Sequence, residues 1–117
     1  MKKILFILAL FSFTLSYAQK KEESIKETTF KVEGVCDMCE KRIEAAALRT
    51  KGVKLAEWDK KSKDLKVVYN SKKVNVETIQ KSVSGIGHDT PTAKADSSNY
   101  AKLPNCCRYR DGAKCSH

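Results

Sequence analysis

The sequence predicts an α+β fold of the ferredoxin-like kind, a βαββαβ sandwich in which one antiparallel sheet carries two helices on one face. Three observations predict this fold. Segments with alternating apolar residues and segments with helical spacing follow one another in the order β-α-β-β-α-β, polar or glycine-containing turns separate them, and each helical segment has one apolar stripe. Two helices on one face of a short sheet bury both stripes together.

The first 18 residues are left out of this fold because they have the pattern of a secretory signal peptide. A short basic start precedes an apolar run at residues 4–15, and small residues, Ser16 and Ala18, stand where signal cleavage requires them. The run is shorter than the ~20 apolar residues of a membrane span, so we expect cleavage and a chain that is not embedded in the membrane. An uncleaved anchor is the alternative. The predicted location is periplasmic or otherwise extracytoplasmic, and the charged residues 19–27 predict a short flexible lead.

The charge distribution argues against a nucleic-acid partner. The chain has 23 lysines and arginines against 14 aspartates and glutamates, a formal charge of +9, and two of the lysines lie in the predicted signal peptide. The other basic residues are interspersed with acidic ones, as on a solvated surface, and an exported chain does not meet nucleic acid. The five cysteines form one C-x-x-C pair and a group of three near the C-terminus, which is not the spacing of a disulfide framework.

A strand and a helix begin the domain. Phe30 and Val32 alternate with charged residues, which is typical of a half-buried strand. A helix is predicted at residues 40–51, with Gly52 as its C-terminal cap. The apolar stripe of this helix consists of Ile43, Ala46, Ala47 and Thr50.

Two strands, a second helix and a weak final strand follow. Residues 53–58 predict a strand, and the alternation within 65–69 predicts the next one after a polar turn. Asn75 is a suitable cap for the second helix, whose apolar positions are Val76, Ile79 and Val83. Residues 88–95 predict the last strand, which Pro91 confines to a sheet edge because proline cannot donate a ladder hydrogen bond.

Cys36 and Cys39 are the candidate metal ligands. In this fold Cys36 lies in the loop after the first strand and Cys39 in the first helical turn, where free backbone N–H groups and the helix dipole favour thiolate over thiol. Two such sulfurs can approach one soft cation from opposite sides, which suits Cu(I) or Hg(II) and leaves room for a ligand from a partner. A structural Zn(II) site needs two further ligands, and only His88 and the C-terminal segment contain candidates.

The residues around this pair resemble the heavy-metal-associated (HMA) domain, the module of copper chaperones, metal-pumping ATPases and periplasmic mercuric-ion-binding proteins. The resemblance covers residues 28–95 and rests on residues 30–39 (FKVEGVCDMC), residues 42–46 (RIEAA) and the glycine turns before the second and fourth strands. It implies that Cys36 and Cys39 bind one soft ion and that ligand exchange passes it on. We therefore expect Cu(I) as the cargo, with Hg(II) or Zn(II) as alternatives. A metal-transporting membrane protein or another metal carrier is the expected partner.

Two positions depart from the family pattern. Most members have methionine where this chain has Gly34, so Val35 or Met38 is expected to fill the space under the loop. Met38 is alternatively a thioether ligand, which would favour Cu(I). His88 stands where bacterial copper-carrying relatives often have tyrosine. It is interpreted either as a turn residue that faces water, as a third ligand, or as a protonated group that partly neutralises the thiolates.

Residues 96–117 are predicted to form a separate tail, because the periodicity ends there and the segment has too few apolar residues to pack as a domain. Its Cys106, Cys107, Cys115 and His117 offer a second soft-metal site, or Cys115 pairs with Cys106 or Cys107 in a disulfide. The tail is long enough to reach back to the Cys36 loop. The HMA resemblance does not extend to the tail, so both alternatives stay open. A third alternative is that these residues have no role in binding or in a disulfide.

The sequence favours a monomeric binding protein over an enzyme, since it contains no recognisable catalytic constellation. The alternative function is a thiol–disulfide redox protein in which Cys36 and Cys39 cycle between dithiol and disulfide. An oxidising compartment would promote that cycle, and a disulfide would abolish metal binding. A third interpretation is a sensor or docking domain of a membrane metal pump.

Overall fold

The structure, a computed structural model, describes residues 24–112. The predicted signal peptide, most of the lead, Cys115 and His117 therefore lie outside the described residues. The elements in chain order are β1 (Ile25–Lys31), α1 (Asp37–Arg49), β2 (Val53–Trp58), β3 (Asp64–Asn70), α2 (Val76–Ser84), α3 (Ser97–Ala101) and two 3-10 turns, Asn105–Cys107 and Tyr109–Asp111. Within this part of the chain, every helix is too short or too polar to cross a membrane.

The sheet is antiparallel, with β3 in the centre and the strand order β1-β3-β2. Alternate residues of β3, beginning with Leu65, are buried on the helix side, and the intervening residues are partly exposed, as expected of a sheet with one solvated face. Phe30 and Trp58 pair with Leu65 from the two sides. β1 begins at Ile25, inside the predicted lead, because backbone pairing with Asn70 extends the strand into a polar sequence.

The two long helices cover the buried face of the sheet and confirm the predicted ferredoxin-like α+β class. Asn75 caps α2 as predicted, since its side chain accepts a hydrogen bond from the Thr78 N–H at 2.8 Å. α1 begins three residues before the predicted start and ends at Arg49, so Gly52 is not its cap. Instead Gly52 has φ +100° in the following turn, where a Cβ atom would lie 2.9 Å from Val74. The side chains that these two helices contribute to the core are Cys39, Ile43, Ala46, Ala47, Ile79 and Val83.

The predicted fourth strand is not formed, so the described sheet has three strands. Residues 88–95 run past the end of β1 and receive a main-chain hydrogen bond from the segment that follows it, from the Glu33 N–H to the Asp89 carbonyl at 3.0 Å. A tight turn then interrupts the segment, with the Thr90 N–H donating to the Ala93 carbonyl at 2.9 Å. Pro91 lies inside that turn and has no N–H to offer a ladder, so local bonds replace the pairing.

Residues 96–112 do not form a separate tail, contrary to the composition-based expectation. Asp96 caps α3 by accepting a hydrogen bond from the Asn99 N–H at 2.8 Å, and Tyr100, Leu103 and Cys107 are buried in the core of the domain. These residues are too few to form a core of their own, but the domain supplies an apolar surface that three or four side chains can complete. We refer to residues 96–112 as the C-terminal cap.

Candidate metal centre

The loop between β1 and α1 brings the two predicted ligands together. Cys36 is the N-terminal cap of α1, and its Sγ accepts a hydrogen bond from the Cys39 N–H at 3.4 Å. The Val35 N–H points at Cys39 Sγ at 3.5 Å. The two sulfur atoms lie 3.2 Å apart as free thiols, and both side chains are buried. Each sulfur thus accepts one backbone N–H at the helix start, and such a contact favours negative charge on sulfur.

The two thiols differ in acidity. Burial raises the pKa of Cys36, but hydrogen bonds from the Cys39 thiol, the Cys39 backbone and the cysteines of the cap outweigh it, so the pKa lies below its ordinary value. Burial raises the pKa of Cys39 above its ordinary value. The thiol and backbone donors around Cys36 therefore favour its thiolate form.

Trp58 packs against the loop at Gly34, a role that no motif in the sequence indicated. A Cβ atom on Gly34 would lie 3.0 Å from the Trp58 ring and 3.1 Å from Cys39 Cβ. The indole N–H donates to the Val32 carbonyl at 3.1 Å, which fixes the ring in place. The ring thus takes the space for which Val35 or Met38 was expected, and glycine is needed to admit it. The alternation of β2 places Trp58 on the same face as buried Ala56, and this signal could have predicted its burial.

Met38 does not fill a gap in the core, because its side chain is 49% exposed. Its Sδ atom instead accepts a hydrogen bond from the Cys106 thiol, with the two sulfurs 3.7 Å apart. The expectation of an apolar packing role for Met38 is therefore wrong: it lies at the rim of the cysteine site.

The cap brings two further sulfurs to the pair. Cys107 is fully buried, and its Sγ lies 3.5 Å from Cys36 Sγ. Cys106 is partly exposed, and its Sγ lies 4.0 Å from that of Cys107. The sulfurs of Cys36, Cys106 and Cys107 all lie within 4.8 Å of one another, which is the spacing of groups that could hold one metal ion. Both cap cysteines are free thiols in the described part of the chain, and Cys115, their predicted disulfide partner, lies outside it.

His88 is buried, so the interpretation as a water-facing turn residue is wrong. Its Nδ1 lies 2.7 Å from the Glu33 carbonyl, which can only accept, so the neutral ring carries its proton on Nδ1. Burial lowers the pKa of His88 to about 4, which argues against a protonated imidazole that offsets thiolate charge near neutral pH. The metal-spaced cluster found among residues 24–112 contains cysteines and not His88. The ring packs against Tyr109 with centroids 5.8 Å apart and holds the start of the loop.

The fold and the cysteine cluster define a metal-binding domain. Residues 29–89, slightly more than half of the chain, match the heavy-metal-associated domain family, and the chain belongs to that family. This result confirms the resemblance noted from the sequence. The C-terminal cap lies outside the matched region.

Solved structures with the same fold include metal-handling proteins. A structure described as CopZ metallochaperone is 26% identical, with a TM-score of 0.54 over 56% of this chain and 98% of that chain. The N-terminal domain of a potential copper-translocating P-type ATPase from Bacillus subtilis, in its Cu(I)-loaded state, is 27% identical, with a TM-score of 0.54 over 56% and 84%. Oxidised MerP from Ralstonia metallidurans CH34, at 19% identity and a TM-score of 0.54 over 56% and 93%, shares the fold. Among proteins with curated functions, none matches the chain significantly.

Proposed function

We propose that this protein is an exported carrier that binds one soft metal ion, Cu(I), through the thiolates of Cys36 and Cys39 and passes it on by ligand exchange. The observation that carries the proposal is the pair of free sulfurs 3.2 Å apart at the start of α1. Thiolates select soft cations such as Cu(I) over the hard cations that prefer oxygen. The Cu(I)-loaded domain from Bacillus subtilis, at 27% identity, supports copper as the cargo.

The expected partner is a metal-transporting membrane protein or another metal carrier. Lys41, Arg42 and Arg49 lie along the face of α1 beside Met38 and line a groove of about 290 Å³ there. A basic face next to the cysteines suits a partner whose docking surface is acidic, because complementary charge speeds encounter. The N-terminal signal pattern supports a periplasmic or other extracytoplasmic site of action. We further propose that the carrier is a monomer and not an enzyme.

The second candidate function is thiol–disulfide exchange by the same pair. The contact of 3.2 Å between the sulfurs and the lowered pKa of Cys36 favour it, since attack on a disulfide requires a thiolate. An oxidising compartment would load the protein with a Cys36–Cys39 disulfide unless a reductant acts on it.

A competitive Cu(I) titration tests the proposal. The chain is produced from Gln19 onward, which retains every described residue, and is kept reduced and free of oxygen. We expect one-to-one binding that competes with a strong Cu(I) chelator, and loss of that binding in the variant Cys36→Ser/Cys39→Ser. Leu48→Ser is the matched control, because it introduces a serine at an exposed site on the same helix and leaves both thiols in place.

Two results would contradict copper carriage. The first is failure of the reduced protein to compete for Cu(I), and the second is unchanged binding in the double serine variant. Disulfide-reductase activity without metal, together with weak Cu(I) binding, would establish the redox function instead.

A further inference from the structure

We propose that Cys107 is a third sulfur ligand, so that the C-terminal cap converts the open pair of Cys36 and Cys39 into a closed three-sulfur site for one soft d¹⁰ cation. This inference rests on the proposed function, because it assigns a ligand to the same site. The HMA-matched region ends at residue 89, so Cys107 belongs to a segment that the family fold does not include.

The sulfur geometry supports a three-coordinate site. Cys36 Sγ lies 3.2 Å from Cys39 Sγ and 3.5 Å from Cys107 Sγ, so Cys36 is central to the group. A metal–sulfur bond of about 2.3 Å places the sulfurs of a planar trigonal site about 4.0 Å apart. The two sulfur contacts of Cys36 therefore each need to open by less than about 1 Å to admit the ion.

Burial distinguishes Cys107 from its neighbour. The side chains of Cys36, Cys39 and Cys107 are buried, whereas Cys106 is partly exposed and contacts Met38 at the rim. Free cysteine is common in protein cores, so it is the position of Cys107 beside Cys36 Sγ, 3.5 Å away, that points to a ligand role. Its position against two other sulfurs is explained if the three share an ion.

Contacts of the residues before and after Cys107 fix its position next to Cys36. Before it, Leu103 is buried against Gly87, where the backbone passes so close that a Cβ would meet the leucine at 2.9 Å. After it, the Tyr109 hydroxyl donates to the Gly87 carbonyl at 2.7 Å and accepts from the Asp89 N–H at 3.0 Å.

A charged contact completes the anchoring. The Arg110 guanidinium donates to Asp89 Oδ1 at 2.6 Å and to the Ala95 carbonyl at 2.8 Å, and it lies over the Tyr100 ring. The cap therefore delivers Cys107 as a pre-positioned ligand, which lowers the ordering cost of binding. A closed site of this kind retains its ion until the cap moves or a partner thiolate replaces Cys107.

X-ray absorption spectroscopy of the Cu(I)-loaded protein tests the assignment, with the chain produced from Gln19 onward. We expect three sulfur neighbours in the wild type, two in Cys107→Ser and three in Cys106→Ser, a variant that discriminates between the two cysteines of the cap. Loss of a residue that only orients a metal ligand costs about 10- to 100-fold in affinity, so loss of a ligand should cost at least about tenfold. Competitive titration should show that loss in Cys107→Ser and less than about a threefold change in Cys106→Ser.

The results separate this inference from the proposed function. Two sulfur neighbours in the wild type, or three in Cys107→Ser, would overturn the third ligand while leaving the Cys36/Cys39 pair intact. A loss of one neighbour in Cys106→Ser would also overturn the assignment, because the cap would then bind through the exposed cysteine. Failure of the wild type to bind Cu(I) would remove both proposals. Cys107→Ala and a circular-dichroism spectrum of each variant guard against misfolding as the cause.

Discussion

Replacement of His88 by asparagine is expected to remove a defined part of the pH dependence of stability in the metal-free protein. His88 is fully buried and neutral, with Arg42, Asp89 and Tyr109 as the charged and titratable groups around it. Burial lowers its pKa from 6.5 to about 4 in the folded state. Asparagine can still donate to the Glu33 carbonyl from the position of Nδ1, but it does not titrate.

The sign and size of the change in stability with pH follow from proton linkage. The unfolded chain binds a proton at His88 below pH 6.5, whereas the folded chain does not bind it until about pH 4. The free energy of unfolding is therefore unaffected by this proton above pH 6.5 and decreases as the pH falls toward 4. A shift of one pKa unit corresponds to about 1.4 kcal/mol, so the loss between pH 7 and pH 4 amounts to about 3 kcal/mol.

Denaturant unfolding at pH 7, 5.5 and 4, under reducing conditions, measures this loss. Between pH 7 and pH 4, the free energy of unfolding of the wild type should fall by about 3 kcal/mol more than that of His88→Asn. This holds whatever the difference between the two proteins at pH 7. Other acidic groups titrate in both proteins and cancel in the comparison. Parallel pH profiles would refute the assignment of a buried, neutral His88.

Two further predictions concern the cap and the core. Tyr109→Phe removes the hydroxyl that bridges Gly87 and Asp89, and it should lower the free energy of unfolding by about 1–3 kcal/mol and expose Cys107 to thiol reagents faster. An unchanged rate of Cys107 modification in this variant would contradict the role of Tyr109 in anchoring the cap. Ile43→Ala removes a fully buried side chain between α1 and the sheet and should cost about 2–5 kcal/mol in chemical denaturation. A cost below about 1 kcal/mol would show that Ile43 is not part of a tightly packed core.

Much of the fold could be predicted because its signals are local. Alternation in β3, helical spacing in α1 and α2, and the Asn75 cap each depend on residues a few positions apart. The fourth strand was predicted from a weak pattern around Pro91 and did not form, since turn and side-chain hydrogen bonds satisfied the backbone there.

The candidate ligand pair was likewise a local signal. Cys36 and Cys39 are three positions apart, so the start of one helix determines their separation. The roles of Trp58, Tyr109 and His88 depend on contacts across more than 20 residues, which no spacing in the sequence reveals.

The sequence by itself determined a small α+β domain with a pair of cysteines at the start of its first helix, because both follow from short-range pattern and helix geometry. The tertiary structure alone decided that the C-terminal cap folds back and places Cys107 3.5 Å from Cys36. That contact joins residues 71 positions apart. It depends on a shared apolar surface, formed by Tyr100 and Leu103 with the domain core, that exists only once the sheet and both helices have packed.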